Sequence, residues 1–294
     1  MSPLRAAGVV FIALGAAACS LLVDTDGLSS GTGSDGGSDA APDAAPTDAA
    51  NEALSDAGGD AGGDAGDPYV AAVLEDGPVA YWRMDAKPND IVADQSGHAN
   101  DLTLRNGGQA IVAGAVGSAI HFDGTKSFAT AKDSRALDFA NGVPFTLEVW
   151  ARRTGSGGYY AGVIVNMDPT GARNGYLVFE LANPGGTDTA HTSFEWDVAG
   201  DLDSAYGALP PALQWTHLVA VYASGTVSLY ENAALAQTKA RPGTFGPLTS
   251  TFTVGAWNAE GNSPFDGDLD EIAVYPTALT PSRITAHYQA APGR

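Results

Sequence analysis

The chain has one cysteine, Cys19, in 294 residues. No intramolecular disulfide can form, so a cystine framework and dithiol redox chemistry are excluded, and stability outside a cell would have to come from packing or a metal. Basic residues are scarce as well, 14 Lys and Arg against 34 Asp and Glu, for a formal charge of −20. Without a basic patch, nucleic acid is not an expected partner. The five histidines, His98, His121, His191, His217 and His287, are scattered and form no HExxH pair. His217 falls in a strand pattern, where a packed, hydrogen-bonded role is expected. Ser96 lacks the G-x-S-x-G elbow of a serine nucleophile and reads as a turn residue. Long helical periodicity is missing too, which leaves an all-β reading.

What is present begins with an address. Arg5, an apolar run from Ala6 to Ala16 and the small residues Ala16, Ala17 and Ala18 precede Cys19, the outline of a secretion signal. The run is shorter than the roughly 20 residues of a membrane-spanning helix. Leu14 to Cys19 resembles the lipobox of bacterial lipoproteins, whose cysteine is lipid-modified after cleavage. It departs from that pattern at Ala16, where Leu is preferred. Under that family's sorting rule Ser20 implies the outer membrane. The expectation is a signal peptide over 1–18, a lipid on Cys19, membrane contact through that lipid only, and a cell-envelope protein facing outward; plain secretion is the alternative.

From Asp24 to Asp67 the sequence falls to Asp, Ala, Gly, Ser, Thr and Pro, ending in DAGGDAGGDAGD. Such a segment cannot bury enough apolar surface to fold, and its like charges extend it. It holds 11 acidic residues and no Lys or Arg, so the rest of the chain after it carries 23 acidic against 13 basic residues. Residues 19–67 are expected to be a lipid-anchored, acidic, disordered linker and 68–294 a folded domain.

In that domain Asp67-Pro68 signals a short helix start, and Gly77-Pro78 ends it. Short runs rich in β-branched and aromatic residues follow, separated by Gly, Pro, Asn and Asp: about a dozen strands. Phe145, Leu147, Val149 and Ala151 alternate with Thr146, Glu148, Trp150 and Arg152, the period of a strand with unlike faces. Trp150 falls on the polar parity, either in a second packed layer or on an open face. Thr280-Pro281 opens a C-terminal helix with Ile284 and Tyr288 on one face. Many short strands within about 220 residues predict one jelly-roll sandwich of two antiparallel sheets with short N- and C-terminal helices.

Four spaced motifs resemble laminin G-like domains of the concanavalin A-like lectin/glucanase type. They are PVAYWRM with the later Asp94-Gln95-Ser96-Gly97 turn, SAIHFDG at Ser118 to Gly124, WTHLVAVY through LYEN at Trp215 to Asn232, and Gly267-Asp268-Leu269-Asp270-Glu271-Ile272. Ala233 stands where that family usually has the glycine of an N-G turn; a positive φ there would be strained, so the turn is expected to differ locally. Leu269, Ile272 and Val274 do not share one parity, so the last strand needs a bulge or burial on both faces.

The resemblance implies a noncatalytic module that binds a glycan or an extracellular protein. Glucanases share the superfamily, and Phe194-Glu195-Trp196-Asp197-Val198 resembles their E-x-D-x-E strand. Ala199 and Gly200 occupy the places of the second Glu, and hydrolysis needs that second carboxyl. A degenerate hydrolase and a structural surface protein are the alternatives. The resemblance further implies a structural Ca2+ where the early turn meets the last strand, on Asp94 and Asp270 with Asn100 or Gly97 assisting; an Asx turn and a buried hydrogen-bonded acid are the alternatives. For ligand, the polar loops at 166–174 and 257–264 lie beside aromatics, so Trp257, Asn258, Trp196 and Tyr160 are candidate contacts, with core packing the alternative for each.

Overall fold

The computed structural model describes residues 66–154, 161–168, 173–181, 190–244 and 246–293. Cys19, nearly all of the linker and Tyr160 lie outside the described residues, as does the middle of the 166–174 loop.

Among the described residues sixteen strands form two antiparallel sheets. The first sheet runs β14 (Ala234–Ala240), β13 (Thr226–Glu231), β12 (Thr216–Ala223), β7 (Phe145–Arg153), β16 (Asp266–Tyr275), β5 (Ser118–Asp123) and β4 (Ala110–Ala113), while β1 (Ala80–Trp82) pairs with the second half of β16. The second runs β11 (Asp201–Tyr206), β10 (His191–Val198), β9 (Asn174–Leu181), β8 (Ala161–Asp168), β15 (Thr253–Val254), β6 (Phe128–Ala131), β3 (Leu102–Arg105) and β2 (Ile91–Val92). This is the expected sandwich, a mostly β fold with two short helices at its ends.

The main core lies between the sheets. Phe145, Leu147, Val149 and Ala151 face Tyr176, Val178, Phe194 and Trp196 across it. The opposite parity of β7 is buried too, because helices α1 (Pro68–Glu75) and α2 (Pro281–Ala290) supply a third layer. Tyr69, Val73, Trp150, Tyr275 and Ile284 make this second core. Trp150 is therefore packed, its ring stacked on Tyr288 at 5.8 Å. Both caps form as the sequence signals: Asp67 accepts from the Tyr69 amide at 2.8 Å and Thr280 from the Arg283 amide at 3.3 Å.

Two irregularities stand out in the first sheet. On β16 the pairing with β7 shifts register between Asp270 and Ala273, with Glu271 at φ +49°; the bulge and the two-sided burial both occur, since every residue from Gly267 to Tyr275 is buried. At the β13–β14 turn Asn232 and Ala233 both take positive φ, +50° and +65°. Against the expectation of a different local turn, Ala233 adopts the strained conformation, and the turn is held by Asn232, whose amide donates to His217 O and whose Oδ1 accepts from the His217 amide. A left-handed alanine costs roughly 1–2 kcal/mol, which these two bonds to the neighbouring strand offset.

Candidate functional site

Alternation along β8 and β9 decides what the outer face of the second sheet presents. Tyr176 and Val178 point into the main core, so Leu177 points out. Register then aligns side chains across the strands: Glu195 lies opposite Leu177, Leu177 opposite Val165, and Val165 opposite Thr253. Val165, Met167 and Leu177 form a small apolar cluster on this face, with Trp257 packed against it.

Trp257 is placed by the compact loop that follows β15. Its amide donates to Asn262 O at 2.8 Å, Gly261 N donates to Asn258 O at 2.9 Å, and Asn262 N donates to Asn258 Oδ1 at 3.1 Å. Gly261 has φ +78°, a conformation that favours glycine, which lets the loop close. A cleft of about 200 Å³ opens here, lined by Val165, Met167, Asp168, Trp257, Asn258 and Glu260 together with Thr249 to Thr251. Asp168 Oδ1 accepts from both the amide and the hydroxyl of Thr249 at 3.0 Å, and Ser250 donates to Asn166 Oδ1 at 2.8 Å. The result is an apolar floor beside an indole, rimmed by an amide, hydroxyls and carboxylates.

Two of the sequence-derived contacts, Trp257 and Asn258, are therefore neighbours in one cleft. Trp196 is not with them: it is fully buried between the sheets, stacked on Tyr222 at 3.9 Å. Its parity on β10 is the inward one, so it packs the core instead of meeting a ligand. Asp168 and Glu260 lie in the two polar stretches the sequence pointed to, though not singled out there, and sequence reasoning missed the 249–251 segment, because the cleft joins strand ends that are far apart in the chain.

The outward acidic residues of β10 are Glu195 and Asp197. Asp197 pairs with Arg173 at 3.2 Å, and Glu195 accepts from Ser204 at 3.3 Å. Burial pushes the Glu195 carboxyl up to about 7, against the opposing pull of Ser204 and Arg173. Ala199 and Gly200 form the turn after β10, so the strand holds no second glutamate beyond Asp197.

The four calcium candidates are divided. Asp94, Gly97 and Asn100 share one turn, in which Asp94 Oδ1 accepts from the amides of Tyr81 and Ser96 and Oδ2 from that of Asn100, each at 2.9 Å. The Asn100 side chain bridges both ways to the Asp133 backbone. Asp270 is tied elsewhere, its Oδ2 accepting from Ala115 and Val116 at 2.9 and 3.0 Å, with Oδ1 lacking a hydrogen-bond partner among the described residues. Burial, then the neighbouring Glu271 charge, raise the Asp270 carboxyl above the usual range, which favours a neutral acid. Among the described residues no three acidic, His or Cys groups gather around a common point. Calcium needs six to eight oxygens, and both Asp94 carboxylate oxygens are already engaged by backbone amides. Asp94 organises a turn, and Asp270 fastens the β4–β5 connection to the last strand.

Comparison with known proteins agrees with this architecture. The binding domain of Paraclostridial Mosquitocidal Protein 1 superposes with a TM-score of 0.57 at 17% identity, over 73% of this chain and 52% of that one. Domain 4 of AbnA, a GH43 extracellular arabinanase from Geobacillus stearothermophilus solved with arabinotriose, gives 0.54 at 22% identity, over 72% of this chain and 98% of that one. The binding domain of botulinum neurotoxin DC in complex with SialylT gives 0.56 at 12% identity, over 74% and 52%. The chain spans about half the length of the two toxin domains. At these identities the likeness is one of fold. No curated protein matches the chain. The family model for the concanavalin A-like lectin/glucanases superfamily matches residues 123–285, more than half of the sequence, and the chain belongs to that superfamily.

Proposed function

We propose that the chain is a noncatalytic extracellular module that binds glycan in the Trp257 cleft and is presented at the cell surface by a lipid on Cys19. The observation that carries the glycan reading is the pairing of an indole with Asn258, Asp168 and the Thr249–Thr251 hydroxyls around one small cleft. A sugar offers an apolar C–H face to an aromatic ring and hydroxyls to amides and carboxylates, so such a set matches both of its surfaces. Neighbours of the same fold were solved with arabinotriose and with SialylT. The lone cysteine behind a signal-like run supports the anchor.

A glycan array followed by titration calorimetry tests the binding. Trp257→Ala and, as the milder change, Asn258→Ala are each expected to weaken the best glycan at least tenfold, about 1.4 kcal/mol or more, while thermal unfolding of Asn258→Ala stays near wild type. Full affinity in both variants would place binding elsewhere, and release of shortened sugars would instead support the hydrolase. For the anchor, palmitate labelling of the full chain in a bacterial host should disappear in Cys19→Ala; equal labelling of the variant would leave simple secretion.

A further inference from the structure

Resting on the glycan reading, we infer that the cleft selects uncharged sugars and rejects glycans that end in a carboxylate sugar. Among the described residues, the charged groups lining it are Asp168 and Glu260, and no Lys or Arg lines it. Asp168 cannot swing away easily, because Thr249 holds its Oδ1 through two hydrogen bonds. Glu260 is exposed on the rim. The face of the Trp257 indole is itself negative. An incoming carboxylate would therefore meet two like charges and a negative π-face. Arg173, just before β9, does not line the cleft and is paired with Asp197 at 3.2 Å.

An uncharged sugar meets the opposite situation. Its hydroxyls donate to Asp168 Oδ2 and to Glu260, and they accept from Asn258. Hydrogen bonds to ionised acceptors are roughly twice as strong as neutral ones, so the groups that repel an acid sugar are strong acceptors for a neutral one. The domain's surplus of acidic over basic residues acts in the same direction at long range.

The test is binding of the full chain to paired probes that differ only in the terminal sugar, lactose against sialyllactose, with arabinotriose as a second neutral probe, at low and high salt. The neutral probes are expected to bind at least tenfold more tightly than sialyllactose, with the gap narrowing as salt screens the repulsion. Glu260→Lys should narrow the gap further, by several-fold at low salt. Sialyllactose binding as tightly as lactose in the wild type, or a gap untouched by both salt and Glu260→Lys, would overturn the selectivity while leaving glycan binding intact. Binding to none of the probes, nor to any glycan of a wider array, would overturn the glycan reading and this inference with it.

Discussion

Replacing Glu148 with alanine should lower the unfolding free energy by about 3–5 kcal/mol, the cost of breaking a buried charge network by removing one partner. Glu148 is fully buried on the outer side of β7. It accepts from Tyr69 Oη at 2.9 Å, Tyr275 Oη at 2.7 Å, His217 Nε2 at 2.7 Å and His287 Nδ1 at 2.9 Å. These donors come from α1, β16, β12 and α2, so one carboxylate ties both helices to the sheet. His287 is held from its other side as well, Nε2 lying 2.9 Å from Asp76 Oδ2 and 3.0 Å from Ala72 O. With acceptors at both ring nitrogens, the imidazolium form fits and the neutral ring does not.

The titration behaviour follows from that geometry. Burial alone would lower the His287 pKa, but the Glu148 carboxylate overcomes it and the net shift is upward. Burial likewise opposes ionisation of Glu148, yet His287 and His217 hold it well below the usual carboxylate range. The stability from a raised histidine is full below its unfolded pKa and is lost as pH climbs through the folded value. That from a depressed carboxylate is present above its unfolded pKa and is lost as pH falls through the folded value. The helix layer is thus most secure between those two limits. In a domain of this size each kcal/mol moves Tm by about 2–4 °C, so thermal melts of Glu148→Ala should fall by roughly 6–20 °C near neutral pH. A change under about 2 °C would mean that the network contributes little and apolar packing alone holds the helices.

Trp196→Ala separates packing from recognition. Its ring is parallel to Tyr222, 5° between planes at 3.9 Å, and stacks on Phe145 at 5.9 Å. Truncating a fully buried tryptophan removes its transfer free energy and leaves a cavity between the sheets, together about 3–5 kcal/mol. Chemical denaturation should show that loss with the m-value unchanged, and the folded fraction should bind glycan as wild type does. Normal stability with lost binding would return Trp196 to the ligand face.

The polar loop around Trp257 and Asn258 was legible because its residue types differ from those of the strands around it. Trp196 misled because aromatic residues serve cores and sugar sites alike, and only its parity on β10 separates the two. β11 and β4 were not legible as strands. β11 is Asp-rich, and β4 is a four-residue all-apolar run, AIVA, too short and without the alternation of a half-buried strand; both are edge strands paired on one side only. The family's motif residues are both present, and the structure shows what each carboxylate bonds to: the Asp94 turn and Asp270 hold different backbone segments.

By itself the sequence determined the all-β class, the two capped helices and an irregularity or two-sided burial in the last strand, since each follows from local periodicity or capping chemistry, whereas the positive φ that Ala233 keeps is set by the bonds Asn232 makes to the neighbouring strand. The tertiary structure alone decided which aromatics face the core, that Glu148 gathers four donors from four elements, and that Asp168, Thr249 and Trp257 share a cleft. Those depend on strand register and on contacts between residues up to about 140 positions apart, which no local pattern encodes.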